Sequence, residues 1–481
     1  MIAWTIYLTF IGAIVILLSP RIWARWLALG TSAAGCAVAL SAFFQGGNYG
    51  TLKTIVRVPW VTALGMEYYL AADGISLTMV LLTGIVAISA VLFSWNIAER
   101  ENEFFFWLLL VVGGSYGVFL SADLFLFFVF YELVIVPKYF LIAIWGSTNK
   151  AYGAMKLTLY SFFGGALVLV GIIAAYVAGG SFNLMALTHV HFSPQLQAWA
   201  FPVMFLGFAV LASMWPFHTW APTGHVAAPT AGSMLLAGIV MKLGAYGALR
   251  VAINLFPAGF QMWRNAIVLL AVAGIVYAAA VALRQRDLKF VIGYSSVNHM
   301  GFVLLGIATA QTLGVAGAVL QMFSHGIIAG LLFAVVGRMI YPRTHTRDLD
   351  ELSGMNLSRV LPFAACTFAI ASAASMGIPG FSGFVAEITI LLGAWRAYPV
   401  LTVITGTGMV LTAAFTLRAL KQSFFGEKTP VTPLVCDPIS TAEKWGAALL
   451  IATTFAVGIY PKPLFDRIMP AVEAMHFLTN R

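Results

Sequence analysis

Apolar runs of ~18 residues or more recur along the whole chain, and a run of that length crosses a bilayer as a helix. In hydrocarbon every backbone N–H and C=O needs a partner inside the protein, so helices and closed barrels are the available solutions. Barrel strands would show as short alternating segments, and the sequence has none. The expected fold is therefore an all-α polytopic membrane protein, with about 14 transmembrane helices by a ~20-residue window. Their centres run from Gly12 to Ile451. Only 9% of the 481 residues are charged, against about 25% in a soluble chain. The first run, from Ile2 to Leu18, has no basic flank and no small-residue cleavage site, and reads as a retained span rather than a signal peptide.

The formal charge of +9 would suggest nucleic acid in a soluble protein; here it fits basic loops on one side of a membrane. Arg21 and Arg25, Lys150 and Lys156, Arg284 with Arg286 and Lys289, Arg343 with Arg347 and Arg359, and Arg418 with Lys421, Lys428 and Lys444 fall in alternate connections. The stretch Gly179–Gln197 carries no Lys or Arg. The expectation is that these loops face the cytoplasm of a bacterial-type inner membrane, or its equivalent, and that both termini lie on the periplasmic side. Lys53 and Arg57 are the exception, in a longer outer loop. The tail Pro461–Arg481 has a weak amphipathic pattern, fit either to lie along the membrane or to reach a neighbour. Cys36, Cys366 and Cys436 are scattered, so disulfides, zinc and iron–sulfur ligation have no support. No Gly-rich phosphate loop is visible.

Two spans are interrupted, one at Trp215-Pro216-Phe217-His218 and one at Gly377-Ile378-Pro379-Gly380-Phe381. Proline removes an amide donor and clashes with the preceding turn. Matched broken helices are a mark of inverted repeats in transporters. The expected organisation is N-terminal helices 1–3 over residues 1–102 and a first repeat of helices 4–8 over 103–255. A second repeat of helices 9–13 covers 264–424, and helix 14 with the tail covers 425–481.

Charges at span ends can snorkel, and Arg250, Arg338 and Lys156 are read that way. Glu132, Lys138, Lys242 and Glu387 sit deeper, each among apolar neighbours. A charge at a helix centre costs roughly 2.5–3.5 kcal/mol on insertion scales, and such residues mark ion paths. His299 and His325 lie in spans between the charged sites, and a histidine titrates near neutrality. His218 and His225 flank the first break, fit either for a gate or for bonding the backbone carbonyls that the break frees.

The motifs Trp215-Pro216-Phe217-His218-Thr219-Trp220, Ala228-Pro229-Thr230-Ala231-Gly232-Ser233 and Lys242-Leu243-Gly244-Ala245-Tyr246-Gly247 resemble a known family. So do Tyr294-Ser295-Ser296-Val297-Asn298-His299-Met300-Gly301-Phe302, Ser324-His325-Gly326 and Gly380-Phe381-Ser382-Gly383-Phe384-Val385-Ala386-Glu387. The chain is similar to the antiporter-like proton-pumping subunits of respiratory complex I, NADH–quinone oxidoreductase. Glu387, where the L and N types carry lysine, points to the M type, chain 4 in mitochondria.

The resemblance implies two inverted five-helix repeats joined by a polar axis. Glu132, Lys242, His299, His325 and Glu387 would form a proton relay driven by quinone reduction elsewhere in the complex. It implies L- and N-type subunits as neighbours, and NADH, FMN, iron–sulfur clusters and quinone on other subunits, with no redox site and no metal in this chain. The alternative is a subunit of a multisubunit Na+/H+ antiporter or of a related membrane-bound hydrogenase or ferredoxin-linked complex. One feature departs from the family. The lysine expected before the first break is replaced by Leu211, while Lys138 follows Pro137 in the fifth span. Lys138 is expected to act as the partner of Glu132, although six residues turn a helix by about 240° and put the two on different faces. The alternative is that Lys138 snorkels or serves assembly.

Overall fold

The computed structural model describes residues 1–45, 47, 50–426 and 436–479. Lys428 and the last two residues of the tail lie outside them. Among the described residues, twelve helices are long and apolar enough to cross a membrane, and Trp4–Leu18 and Pro362–Ser375 are shorter apolar helices. In chain order the helices are α1 Trp4–Leu18, α2 Arg21–Phe44, α3 Gly74–Leu92, α4 Glu101–Leu120, α5 Leu124–Trp145 and α6 Lys150–Gly179. The first interrupted span follows as α7 Pro194–Leu211 and α8 Trp220–Ala227, then α9 Thr230–Ile253, α10 Pro257–Arg284, α11 Leu288–Ala308 and α12 Thr312–Thr344. The second is α13 Pro362–Ser375 and α14 Ser382–Ala397; α15 Pro399–Phe424, α16 Thr441–Ile459 and α17 Lys462–Glu473 complete the chain.

Helices α9, α11 and α12 form the buried centre, and α2, α6, α15 and α16 present apolar faces outward. Several ends are set by side-chain caps. Asp73 accepts from the amides of Ile75 and Ser76, Asp123 from those of Phe125 and Leu126, and Asp287 from those of Lys289 and Phe290. Ser440 and Glu443 close a capping box on α16.

The all-α expectation misses one element. Lys53–Val61 (β1) and Met66–Ala72 (β2) pair antiparallel between α2 and α3. The stretch is rich in Val, Ile, Tyr and Trp, residues that suit a pleated surface. Gly65 supplies the left-handed turn at φ +67°. An ion pair of 3.0 Å between Arg57 and Glu67 crosses the hairpin.

In the tail, helix α17 packs its apolar face on α3 and α12 of its own chain and buries Leu464, Ile468, Ala471 and Val472. A methyl on Gly74 would meet the carbonyl oxygen of Arg467 at 1.7 Å. The obstacle is backbone, so Gly74→Ala is expected to push α17 off its seat at a cost of ~1–3 kcal/mol. Limited proteolysis of the purified complex would show this as faster cleavage at Arg467 than in the wild type.

Candidate functional site

Helix α9 is α-helical only in part. Leu236–Val240 and Ala248–Ile253 are π-helical, and Lys242 stands between them. Such wider turns recur at functional sites. Lys242 is fully buried. Its Nζ donates to the Ala237 carbonyl, and it meets Nδ1 of His325 at 2.7 Å. What brings the two together is a crossing of α9 and α12 on glycines. A Cβ at Gly326 would lie 2.7 Å from the Gly238 carbonyl, and one at Gly238 would meet Val86 at 2.9 Å. With no side chain at either position, backbone approaches backbone, as in small-residue helix crossings in membranes.

From His325 the polar row continues. Its ring centroid lies 5.4 Å from that of His299. His299 Nδ1 is 3.3 Å from Oε1 of Glu387, and its Nε2 is 3.0 Å from Oγ of Ser375. Gln321 Nε2 also approaches Nδ1 of His299, at 3.3 Å. Asn298 fixes α11 beside α10 by donating to the Ile275 carbonyl at 2.8 Å. The second break, between α13 and α14, turns on Gly377 and Gly380 at φ +69° and +98°. Glu387 folds back across it, with Oε2 2.6 Å from where a Cβ on Gly377 would stand. Lys242, His325, His299 and Glu387 therefore form one row of buried groups.

The first-half residues stand apart from that row. The half-buried Glu132 lays its carboxylate on the backbone of α6, with Oε1 1.9 Å from a Cβ built on Gly165, and that oxygen has no hydrogen-bond partner. Lys138 is buried and makes no ion pair with Glu132 among the described residues. It borders a small void with Val111 of α4 and with Gly232, Leu235 and Leu236 of α9. The first break runs from Ala212 to Thr219, and Leu211, the last residue of α7, is buried beside α9, which approaches at Gly244. His218 lies edge-on to Tyr277 at 5.4 Å. His225 stacks on Phe333 at 4.6 Å and is fully buried. Neither ring nitrogen of His225 has a partner, so it does not satisfy carbonyls freed by the break.

Three cations read as span-end or loop residues have specific partners. Arg250 is buried and pairs with Asp73 at 2.5 Å. Lys289 is buried and donates to the Ala228 carbonyl at 2.7 Å. Arg338 shares Glu443 with Arg343, at 2.9 and 3.0 Å. The sequence reading passed over Ser375 and Gln321 beside His299, and Asp73 opposite Arg250. Gln321 had a visible signal, since it lies one helical turn before His325; Ser375 had none, because it reaches His299 only across the fold.

The chain is similar to known proteins over most of its length. The family described as "NADH:quinone oxidoreductase/Mrp antiporter, TM" matches residues 121–413. NADH-quinone oxidoreductase subunit M of Rhodobacter capsulatus is 37% identical over 95% of this chain and 91% of its own length. A chain of respiratory complex I from Thermus thermophilus, solved with bound NADH, superposes with a TM-score of 0.91 at 25% identity and covers 100% of both chains. A chain of the Mrp complex from Dietzia sp. superposes at 0.88 with 20% identity over 99% of this chain and 97% of its own, a likeness of fold. The chain belongs to the NADH:quinone oxidoreductase/Mrp antiporter transmembrane family.

Proposed function

We propose that this chain is a proton-translocating membrane-arm subunit of an NADH–quinone oxidoreductase, and that protons move along Lys242, His325, His299 and Glu387. The observation that carries the reading is the row itself: 2.7 Å from Lys242 to His325, a ring-to-ring step of 5.4 Å with Nε2 of His325 free of a protein partner, and 3.3 Å from His299 to Glu387. An ammonium at Lys242 can pass a proton to Nδ1 of His325 and become a neutral amine. The imidazolium so formed sits beside His299, whose Nδ1 faces the carboxylate of Glu387. Each step neutralises one buried charge as it creates another, which keeps the number of uncompensated charges low where water is scarce. The relatives' naming as subunit M favours the oxidoreductase over the antiporter alternative.

In this reading the redox chemistry belongs to other subunits, which hold the nicotinamide, flavin, iron–sulfur and quinone sites. The L- and N-type subunits are the expected neighbours, and the basic loops face the cytoplasm. The two breaks mark the two repeats. The test is His325→Gln in the intact complex in sealed vesicles. The rate of coupled proton pumping is expected to fall at least about tenfold, the scale of ~1.4 kcal/mol in a barrier. An unchanged rate sinks the relay.

Lys138 is the partner of Glu132 in this chain, acting through space rather than by contact. The void it shares with Gly232, Leu235 and Leu236 supports a charge that acts on the part of α9 leading to Lys242. Lys138→Met is expected to slow coupled pumping severalfold without loss of the assembled complex, and wild-type rate and stoichiometry would count against the role.

A further inference from the structure

Lys242, Tyr246 and Arg250 on α9, and Asn254 just past its end, follow one another at intervals of four. In a regular α-helix that spacing drifts by ~40° at each step. The π-helical segment Ala248–Ile253 has a wider turn and draws Arg250 back toward the row. The row runs from the centre of the relay toward the end of the molecule that holds the β-hairpin. There it meets a cavity of 210 Å³, lined by Asp73, Arg250, Asn254, Thr188, His189 and His476 among others. A water occupies ~30 Å³ of liquid, so the space holds several. Oδ1 of Asn254 has no protein partner.

Between this cavity and Lys242 stand Arg250 and Tyr246. Nη2 of Arg250 is held by Oδ2 of Asp73 at 2.5 Å, while Oδ1 of Asp73 caps α3. The guanidinium also lies 5.6 Å from the ring centre of Tyr246. The Tyr246 hydroxyl donates to the Phe119 carbonyl at 3.0 Å and lies 2.9 Å from Oγ of Ser76. The seat of α17 on Gly74 closes the same corner.

We infer that Arg250, anchored by Asp73, is a barrier that keeps protons in the outer cavity from reaching Lys242. A guanidinium does not give up its proton in a protein, so it cannot serve as a relay step. It has N–H donors and no acceptor, so a chain of waters that reaches it finds no atom to which a proton can hop. A pump needs such a plug. A central lysine that exchanges protons with one side must be shielded from free exchange with the other, or the gradient runs back through it. Asp73 holds the plug in place and satisfies the cap of α3 with its other oxygen. The inference rests on Lys242 as the centre of the relay and on the hairpin end facing the outer compartment.

The test is passive proton flux, measured without electron transfer. The intact complex is reconstituted in liposomes that hold a pH-sensitive dye, and an acid step is applied on the hairpin side. Arg250→Gln is expected to raise the flux severalfold, and Arg250→Lys is expected to leak as well, because a buried ammonium can give up its proton where a guanidinium cannot. Adding Lys242→Met to Arg250→Gln is expected to return the flux to the wild-type level. Wild-type tightness in the assembled Arg250→Gln complex overturns the inference. So does a leak that survives Lys242→Met, because the path then bypasses the lysine. Should Arg250→Gln not assemble, Asp73→Asn, which frees the guanidinium, is expected to leak, and tightness there overturns it equally. Loss of pumping in the single Lys242→Met variant bears on the relay alone and leaves the flux result separate.

Discussion

Lys242→Met is expected to abolish quinone-coupled proton translocation while the complex still assembles. Methionine fills nearly the same volume as the lysine stem, so packing in the buried α9 is kept and the volume-conserving change costs little, under ~1.5 kcal/mol. What is lost is the ammonium that meets His325 at 2.7 Å. No other described cation stands within salt-bridge distance of the row, which contains a single ion pair, His299 with Glu387. With the first donor gone, His325 has no titratable neighbour on the α9 side. The check is dye-reported acidification of sealed vesicles at a matched rate of NADH oxidation; acidification within twofold of wild type would remove Lys242 from the pathway.

Gly377→Ala is expected to be nearly as damaging, although it touches no member of the row by name. The left-handed backbone at φ +69° costs an L residue roughly 1–2 kcal/mol. The added methyl also stands 2.6 Å from Oε2 of Glu387, so the carboxylate must swing away. It then leaves the His299 ring, to which it is held at 3.3 Å. The expected result is a pumping defect of the size of Glu387→Gln, in a complex that assembles at a normal level. The same proton-to-electron ratio as wild type, with Glu387→Gln defective, would show that the break does not position the carboxylate.

Much of this was legible in the sequence. Long apolar runs dictate helices, and the prolines and glycines at 216, 377, 379 and 380 locate the two breaks because each removes a donor or permits a backbone angle that other residues resist. The buried charges stood out against their neighbours. Partnership was not legible. Whether Lys242 faces His325 or Glu132 depends on how two helices cross, and only Gly238 and Gly326, unremarkable in a chain with 45 glycines, decide that. Arg250 looked like a snorkelling residue because its partner, Asp73, lies 177 positions away. The hairpin escaped because a window tuned to spans of ~20 residues passes over strands of nine and seven.

The crossing at Gly238 and Gly326 has a consequence for timing. Side chains change rotamer in picoseconds to nanoseconds, whereas packed helices shift in microseconds to milliseconds. Because backbone lies against backbone there, the distance between the Lys242 and His325 backbones, across which the 2.7 Å step is made, changes only at the slower pace. In the proposed relay, a handover gated by this crossing keeps time with whole helices, in the range of enzymatic turnover rather than of proton hopping.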